Sequence, residues 1–315
     1  MKNQILKFIL LISLFALVNC TNQARSTKIK ILVSPKGLVH SFWVTVKAGA
    51  DSAGREFKAD IIWKGPAQET DIAGQIAIVE DYVNKGIDAI VIAACDAQGL
   101  IPVLKKAYDK NIPIITIDSG VDADFPLSFI ATDNIIAAQK AAQTLATMIG
   151  GCGKVACIPF IPGAATSIWR EKGFVDEISK YPQIELLPIR YSQSEVAVGM
   201  SVIEDILTAH PNLKGIFAAN EPGTIGAIQA LKTKNKIGAV KVIGFDAAPN
   251  EIDALKAGEI DGLIVQDPFK MGYEGVKAAI KSLKKQAVPK RIDTGVYIVT
   301  LDNLSKPEIQ RLISN

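Results

Sequence analysis

Residues 114–118 read Ile-Ile-Thr-Ile-Asp, and the pattern returns three times: Ile216–Ala219 runs into Asn220, Val242–Phe245 into Asp246, and Leu263–Val265 into Gln266. Each run is apolar, too short to stand alone as a helix, and stops on one polar residue and a turn. Runs of this kind, alternating with helical segments, are strands buried on both faces of a parallel sheet. In open α/β sheets ligands bind outside the carboxyl ends of the strands, where the departing loops converge. Two acids and two amides repeated at that station, with no partner chemistry beside them, suit hydrogen bonding to a neutral polyhydroxylated ligand. The pattern points to a binding site rather than a reaction centre.

Outward from these runs the alternation continues. Lys30–Val33, Asp60–Trp63, Ala89–Ala93, Ile112–Ile117 and Leu127–Ala131 read as strands, and Phe42–Phe57 and Asp71–Asn84 as helices. Ile72, Ile76, Val79 and Val83 recur at helical spacing, as do Leu100, Val103, Leu104 and Ala107 in the next helix. A second series starts with a long Ala-rich helix from Asp133 to about Ile149, stopped by Gly150-Gly151. Strands at Val155–Pro159, Ile184–Ile189, Gly215–Ala219, Val240–Phe245 and Gly262–Val265 follow, separated by helices over Ser167–Ser179, Glu195–Ala209, Thr224–Lys232 and Asn250–Lys256. A final helix, Pro268–Lys285, is expected to bury Phe269, Tyr273, Val276, Ile280 and Leu283. The fold class is α/β with two similar halves, each a doubly wound parallel sheet.

Bulk properties narrow the function. The 315 residues are enough for two domains, 49% hydrophobic and 21% charged describe an ordered globular chain, and the net charge of +3 offers no basic surface for nucleic acid. Lys2 and Lys7 followed by apolar Phe8–Val18 make a signal peptide over residues 1–20, too short to span a bilayer. Its end, Leu17-Val18-Asn19-Cys20, resembles a bacterial lipobox, although Asn19 replaces the usual small residue. Cys20 is therefore the expected lipidation site, an ordinary cleavage nearby being the alternative, and residues 21–27 a polar tether. Cys95, Cys152 and Cys157 remain; their odd number argues against a complete disulfide framework, with buried free thiols the simpler account and a Cys152–Cys157 bridge left open. The only histidines are His40 and His210. No metal spacing, no cofactor motif and no nucleophile–His–acid set is present, so neither an enzyme nor a cofactor protein is expected.

The ordered motifs Ser41-Phe42-Trp43, Ile114–Asp118, Ala131-Thr132-Asp133-Asn134, Arg170-Glu171-Lys172-Gly173-Phe174, Phe217–Glu221, Gly244-Phe245-Asp246 and Val265-Gln266-Asp267 carry a resemblance. Over residues 28–300 the chain resembles the periplasmic sugar-binding proteins of ABC importers, the ribose-binding group. The resemblance implies two lobes joined by three hinge crossings, near Ala131–Asp133, Gln266 and Thr294–Gly295. One lobe would hold residues 28–131 and 267–294, the other 132–266 and 295–315. It implies a periplasmic or cell-envelope location, a sugar closed between the lobes, ABC permease subunits as partners and membrane contact only through the lipid. Sensing through a chemoreceptor or sensor kinase is the alternative use of such a protein. A sugar-responsive repressor with the same core would need a DNA-binding headpiece, which the export signal leaves no room for.

Residue by residue, the resemblance places Phe42 and Trp43 against the apolar face of a sugar ring, core packing being the competing reading. Asp118, Asn220 and Asp246 would bond hydroxyls, helix capping being the competing role of the two acids. Arg170, with its planar fork, would recognise ring oxygen and hydroxyl and pair with Asp118 or Asp246. Gln266 would bridge a sugar hydroxyl or satisfy hinge backbone, and Asp133 is expected only to cap a helix. Ser119-Gly120 follows Asp118 where ribose-type proteins carry Arg, and His40 stands where they carry Asn. Tyr191 or Trp169 would have to supply the second-lobe aromatic. Lys36 in Ser34-Pro35-Lys36-Gly37 also faces the cleft on this reading; a similar Pro-Lys occurs in relatives that bind furanosyl signalling molecules. The implied pocket is sugar-like without copying the ribose pocket.

Overall fold

The computed structural model describes residues 28–314, so the signal peptide, Cys20 and the tether lie outside the described residues. The first sheet contains β1 (Lys30–Ser34), β2 (Asp60–Trp63), β3 (Ala89–Ile92), β4 (Ile114–Ile117), β5 (Ser128–Ala131) and β11 (Arg291–Asp293), in the order β2-β1-β3-β4-β5-β11. The second contains β6 (Cys152–Ile158), β7 (Gln183–Leu186), β8 (Leu213–Ala218), β9 (Lys241–Phe245), β10 (Gly262–Val265) and β12 (Tyr297–Val299), in the order β7-β6-β8-β9-β10-β12. The two orders are the same doubly wound sequence run twice, each reversing direction beside its first strand, where α/β sheets open a crevice.

Ten helices lie among these strands within the described residues: α1 (Ser41–Phe57), α2 (Ile72–Lys85), α3 (Ile101–Asp109), α4 (Asn134–Met148), α5 (Ala165–Ile178), α6 (Val196–Ala209), α7 (Glu221–Thr233), α8 (Pro249–Lys256), α9 (Pro268–Leu283) and α10 (Pro307–Ile313). Strand alternation sends neighbouring residues to opposite faces. Ile31 and Val33 therefore pack with α1 and α9, and Leu32 with α2 and α3. The second sheet repeats this: Val155 and Cys157 face α4 and α5, while Ala156 and Ile158 face α6, α7 and α8. Burial on both faces is why the strands read as continuous apolar runs.

Four expectations are corrected. β12 runs antiparallel to β10, because the chain enters the second sheet directly from β11 without a crossover helix to turn it round. The strand expected at Ile184–Ile189 is Gln183–Leu186. Helix α9 buries Met271, Gly272, Gly275, Val276, Ala279 and Ile280, while Phe269 and Tyr273 are half-buried and stack on each other. The face is turned because α9 crosses α1 backbone to backbone: a Cβ on Gly49 would stand 2.0 Å from Phe269 O, and one on Gly272 2.0 Å from Val46 O. Finally, Cys152 is exposed rather than buried, and all three cysteines are free. Cys152 and Cys157 lie on one extended strand, about 16 Å apart at ~3.3 Å per residue, too far for a bridge.

Candidate functional site

Strand ends converge on one small, largely filled cavity between the two sheets, with about 20 Å³ of free space, well below the roughly 300 Å³ at which small-molecule sites begin. All nine residues singled out in the sequence line it: Lys36, His40, Phe42, Trp43 and Asp118 from the first lobe, Arg170, Asn220 and Asp246 from the second, and Gln266 on the crossing between them. Glu69, Phe160, Glu221 and Pro222 complete the lining.

Asp118 and Asp246 end β4 and β9 with φ of 52° and 87°, a left-handed turn that short polar side chains tolerate better than other non-glycine residues. Neither caps a helix. The capping role falls to Asn220, whose Oδ1 accepts from Gly223 N at 3.0 Å while its Nδ2 donates to Ser194 Oγ at 2.9 Å. Asp133 caps α4 by accepting from Ile136 N at 3.1 Å.

The buried Lys36 ammonium stands 3.0 Å from Asp118 Oδ2, an ion pair off the hydrogen-bond axis, so that oxygen has no hydrogen-bond donor. Lys36 Nζ donates instead to Thr166 Oγ1 at 3.1 Å, and it lies 5.1 Å from the centre of the Phe160 ring. Burial alone would lower the Lys36 pKa, but the Asp118 and Glu69 carboxylates outweigh it and raise the value. Glu69 accepts from Trp43 Nε1 at 2.8 Å and from Ser194 Oγ at 2.9 Å, with His40 Nδ1 3.6 Å away. Its burial is overcome by Lys36, His40 and Trp43, which hold its pKa down at about 2. His40 is correspondingly raised: burial opposes the shift and Glu69 wins.

Arg170 makes no ion pair among the described residues, contrary to the expected partnership with an aspartate. Its Nε donates to Asn134 Oδ1 and its Nη1 to Ala219 O, both at 2.7 Å, and the guanidinium stacks 3.6 Å above the Phe245 ring. A planar fork offered a carbonyl, an amide and an aromatic face at once is held by them rather than by a carboxylate. Asp246 therefore has only Gln266 Nε2 at 2.7 Å and Glu221 N at 3.3 Å, and burial pushes its pKa up to about 6 despite the nearby Arg170 charge. Gln266 is thus bonded to a side chain, not to hinge backbone, and its Oε1 is buried with no donor.

Trp43 is 2% exposed and packs largely as core, whereas Phe42 stays half-buried and meets it edge-on at 4.9 Å. Neither Tyr191 nor Trp169 reaches the cavity: Tyr191 Oη donates to Glu171, and Trp169 packs on Phe129. The second-lobe aromatic is Phe160, in the loop after β6, a position no periodicity marks. Glu69 lies in a loop with no pattern either. Glu221 closes the Phe217–Glu221 motif, but its acidity at a helix start hid it as an ordinary first-turn carboxylate.

A family model described as "Periplasmic binding protein domain" matches residues 31–287. The chain belongs to this family. Among curated members of this kind, the D-ribose/D-allose-binding protein of Pseudomonas aeruginosa is 28% identical over 288 residues, covering 89% of this chain and 90% of the relative. The ribose import binding protein RbsB of Escherichia coli is also 28% identical, covering 91% and 95%. An ABC transporter solute-binding protein from Agrobacterium vitis, solved with bound D-fucose, superposes with a TM-score of 0.88 at 38% identity, covering 90% of this chain and 99% of that one. One from Agrobacterium radiobacter, solved with D-arabinose, gives 0.89 at 36% identity, covering 91% and 99%. The doubled sheet topology described above is the fold of these periplasmic binding proteins.

Proposed function

We propose that this periplasmic binding protein captures a sugar of pentose, hexose or furanosyl type between its two lobes and delivers it to an ABC importer. The observation that carries the reading is the convergence of strand-end polar groups from both lobes on one cavity, where the buried acceptor Gln266 Oε1 still lacks a donor and Asp118 Oδ2 has only the Lys36 ammonium, 3.0 Å away and off axis. Hydroxyls supply such donors, and Phe42 and Phe160 offer apolar faces for C–H groups. The carboxylates of Asp118, Glu69, Glu221 and Asp246 outnumber the cations Lys36 and Arg170, which favours a neutral sugar over an acidic or phosphorylated one.

A ligand touching both lobes draws the open–closed equilibrium toward the closed form. The lobes of the proposal are residues 28–131 with 267–294 and 132–266 with 295–315, turning about the three crossings. Periplasmic exposure follows from the family, and anchoring through Cys20 belongs to the proposal.

The test is calorimetric titration with D-fucose, D-arabinose, D-allose, D-ribose and D-tagatose, with D-glucuronate and ribose 5-phosphate as anionic controls. At least one neutral sugar is expected to bind saturably and raise the melting temperature, with the anions at least tenfold weaker. Trp169, which touches Phe129 of the other lobe at a ring separation of 5.7 Å, gives a fluorescence signal for closure. Folded protein that binds none of the neutral sugars would overturn the reading.

A further inference from the structure

Helix α1 begins without a side-chain cap of its own: His40, at the capping position, makes no such bond. Its first two amides are satisfied from the other lobe. Ser41 N donates to Glu221 Oε1 at 3.1 Å and Phe42 N to Glu221 Oε2 at 3.2 Å. Glu221 is also the first residue of α7, so one carboxylate lies between the amino termini of two helices facing each other across the cleft. Each terminus carries a partial positive charge and unbonded N–H groups, and closing the lobes brings the two together. A carboxylate between them turns a repulsion into a bond.

We infer that Glu221 is a cross-lobe cap, a positioning residue that makes the closed form substantially populated before any sugar binds. The inference rests on the two-lobe reading above but not on the identity of the ligand. Both Glu221 oxygens are committed to α1, so the residue acts through the placement of Phe42 and Trp43 rather than as a sugar contact. Other protein–protein bonds also cross the cleft. Ser194 Oγ donates to Glu69, Lys36 Nζ to Thr166 Oγ1 at 3.1 Å, and Ala97 N to Gly163 O at 3.0 Å. One other contact is of the same kind, Thr166 N in the first turn of α5 donating to Ser119 Oγ of the first lobe at 3.4 Å, but it is a single longer bond to a neutral hydroxyl, whereas Glu221 offers α1 a charged acceptor for two amides. When the lobes part, α1 loses that cap and Glu221 keeps only the dipole of its own helix. A lost cap of this kind shifts an equilibrium by about tenfold.

The two sides of the contact can be broken separately. Glu221→Ala removes the acceptor. Ser41→Pro removes one donor from the opposite lobe at the first helical position, where proline is tolerated, and His40, with ψ of 144°, already has the extended backbone that a following proline demands. Spin labels on the exposed native Cys152 and on Lys85→Cys, a solvent-exposed site in the first lobe, report lobe separation by pulsed dipolar spectroscopy in sugar-free buffer.

The expected result is a short-distance population in the labelled parent that falls about tenfold relative to the long one in Glu221→Ala. The fall in Ser41→Pro should be several-fold, and the double variant should match Glu221→Ala rather than the product of the two. An unchanged distribution in Ser41→Pro and Glu221→Ala, or a parent with only the long distance, would overturn the inference. If Glu221→Ala does not fold, Ser41→Pro decides alone. Since no sugar is present, the outcome is separate from that of the sugar titration.

Discussion

Asp118 and Asp246 occupy the same station in the two lobes, at the ends of β4 and β9, which hold equivalent places in the two sheets. Both are buried and both turn out of the strand with positive φ. Their surroundings differ. Asp118 has a lysine ammonium 3.0 Å away, whereas the arginine beside Asp246 spends its donors on Asn134 and the Ala219 carbonyl. The same lysine helps hold Glu69 of the first lobe down at about 2, while burial in the second holds Asp246 up at about 6. Similar burial at an equal station leaves one aspartate beside an ammonium and the other without a paired cation, decided by which cation is free to pair.

Removing the cations separates the two stations most sharply. Lys36→Met strips Asp118 of its ion-pair partner and leaves an uncompensated charge in the interior, so a loss of about 3–5 kcal/mol in unfolding free energy at pH 7 is expected. Arg170→Met leaves neutral acceptors and a charge already weakly compensated, with a smaller loss of about 2–3 kcal/mol. Urea titrations of both variants check the order. The reverse order would mean that the Arg170 field supports Asp246 more than its bonds suggest. Both variants should also weaken sugar binding by at least about a hundredfold, since each removes a cavity wall.

The comparison also shows where sequence reading works. Strand-end stations were legible because burial on both faces makes each strand an unbroken apolar run, and the one polar residue at its end stands out. Asp118, Asn220, Asp246 and Gln266 were found this way, and the two α/β halves followed from strand–helix alternation. Residues on loops carry no period. Glu69 and Phe160 were invisible, and Glu221 was masked by a role it also fills in its own helix. Partnerships were harder still: the fork of Arg170 met Asn134, Ala219 and Phe245, three groups distant in sequence that only folding brings together. The buried face of α9 was misplaced for a related reason. Close approach at Gly49 and Gly272 decides it, and a glycine contributes nothing to an apolar stripe.

Asp246 offers an intermediate test because its sign is opposite to that of an ordinary paired carboxylate. A carboxyl raised from 3.8 to about 6 binds its proton more tightly folded than unfolded. Its contribution is therefore most favourable below about pH 4 and is lost as the pH rises through about 6, a fall of about 3 kcal/mol at ~1.4 kcal/mol per pKa unit. Glu69 runs the other way, its contribution present above 4.5 and lost as the pH falls toward about 2. Asp246→Asn removes the first effect and leaves the second. It also loses the acceptor for Glu221 N, about 1 kcal/mol. The variant should be more stable than the parent by about 1–2 kcal/mol at pH 8 and less stable at pH 4. Thermal melts across that range would show the two curves crossing; parallel curves would remove Asp246 from the comparison.

The smallest effect concerns the hydroxyl that ties the compensated side to the other lobe. Ser194 Oγ donates to Glu69 Oε2 and accepts from Asn220 Nδ2, so it passes a hydrogen bond across the cleft from one lobe's amide to the other's carboxylate. Ser194→Ala cuts that chain without removing a charge. Because Lys36, His40 and Trp43 still hold Glu69, the loss should stay at about 1.5 kcal/mol, the low end of the net value for a hydrogen bond to a charged group. Sugar affinity should fall by no more than about fivefold. A loss as large as that of Lys36→Met would mean that the chain, and not the lysine, keeps Glu69 ionised. The first lobe's compensation would then depend on closure, and the contrast between the two aspartates would vanish whenever the lobes open.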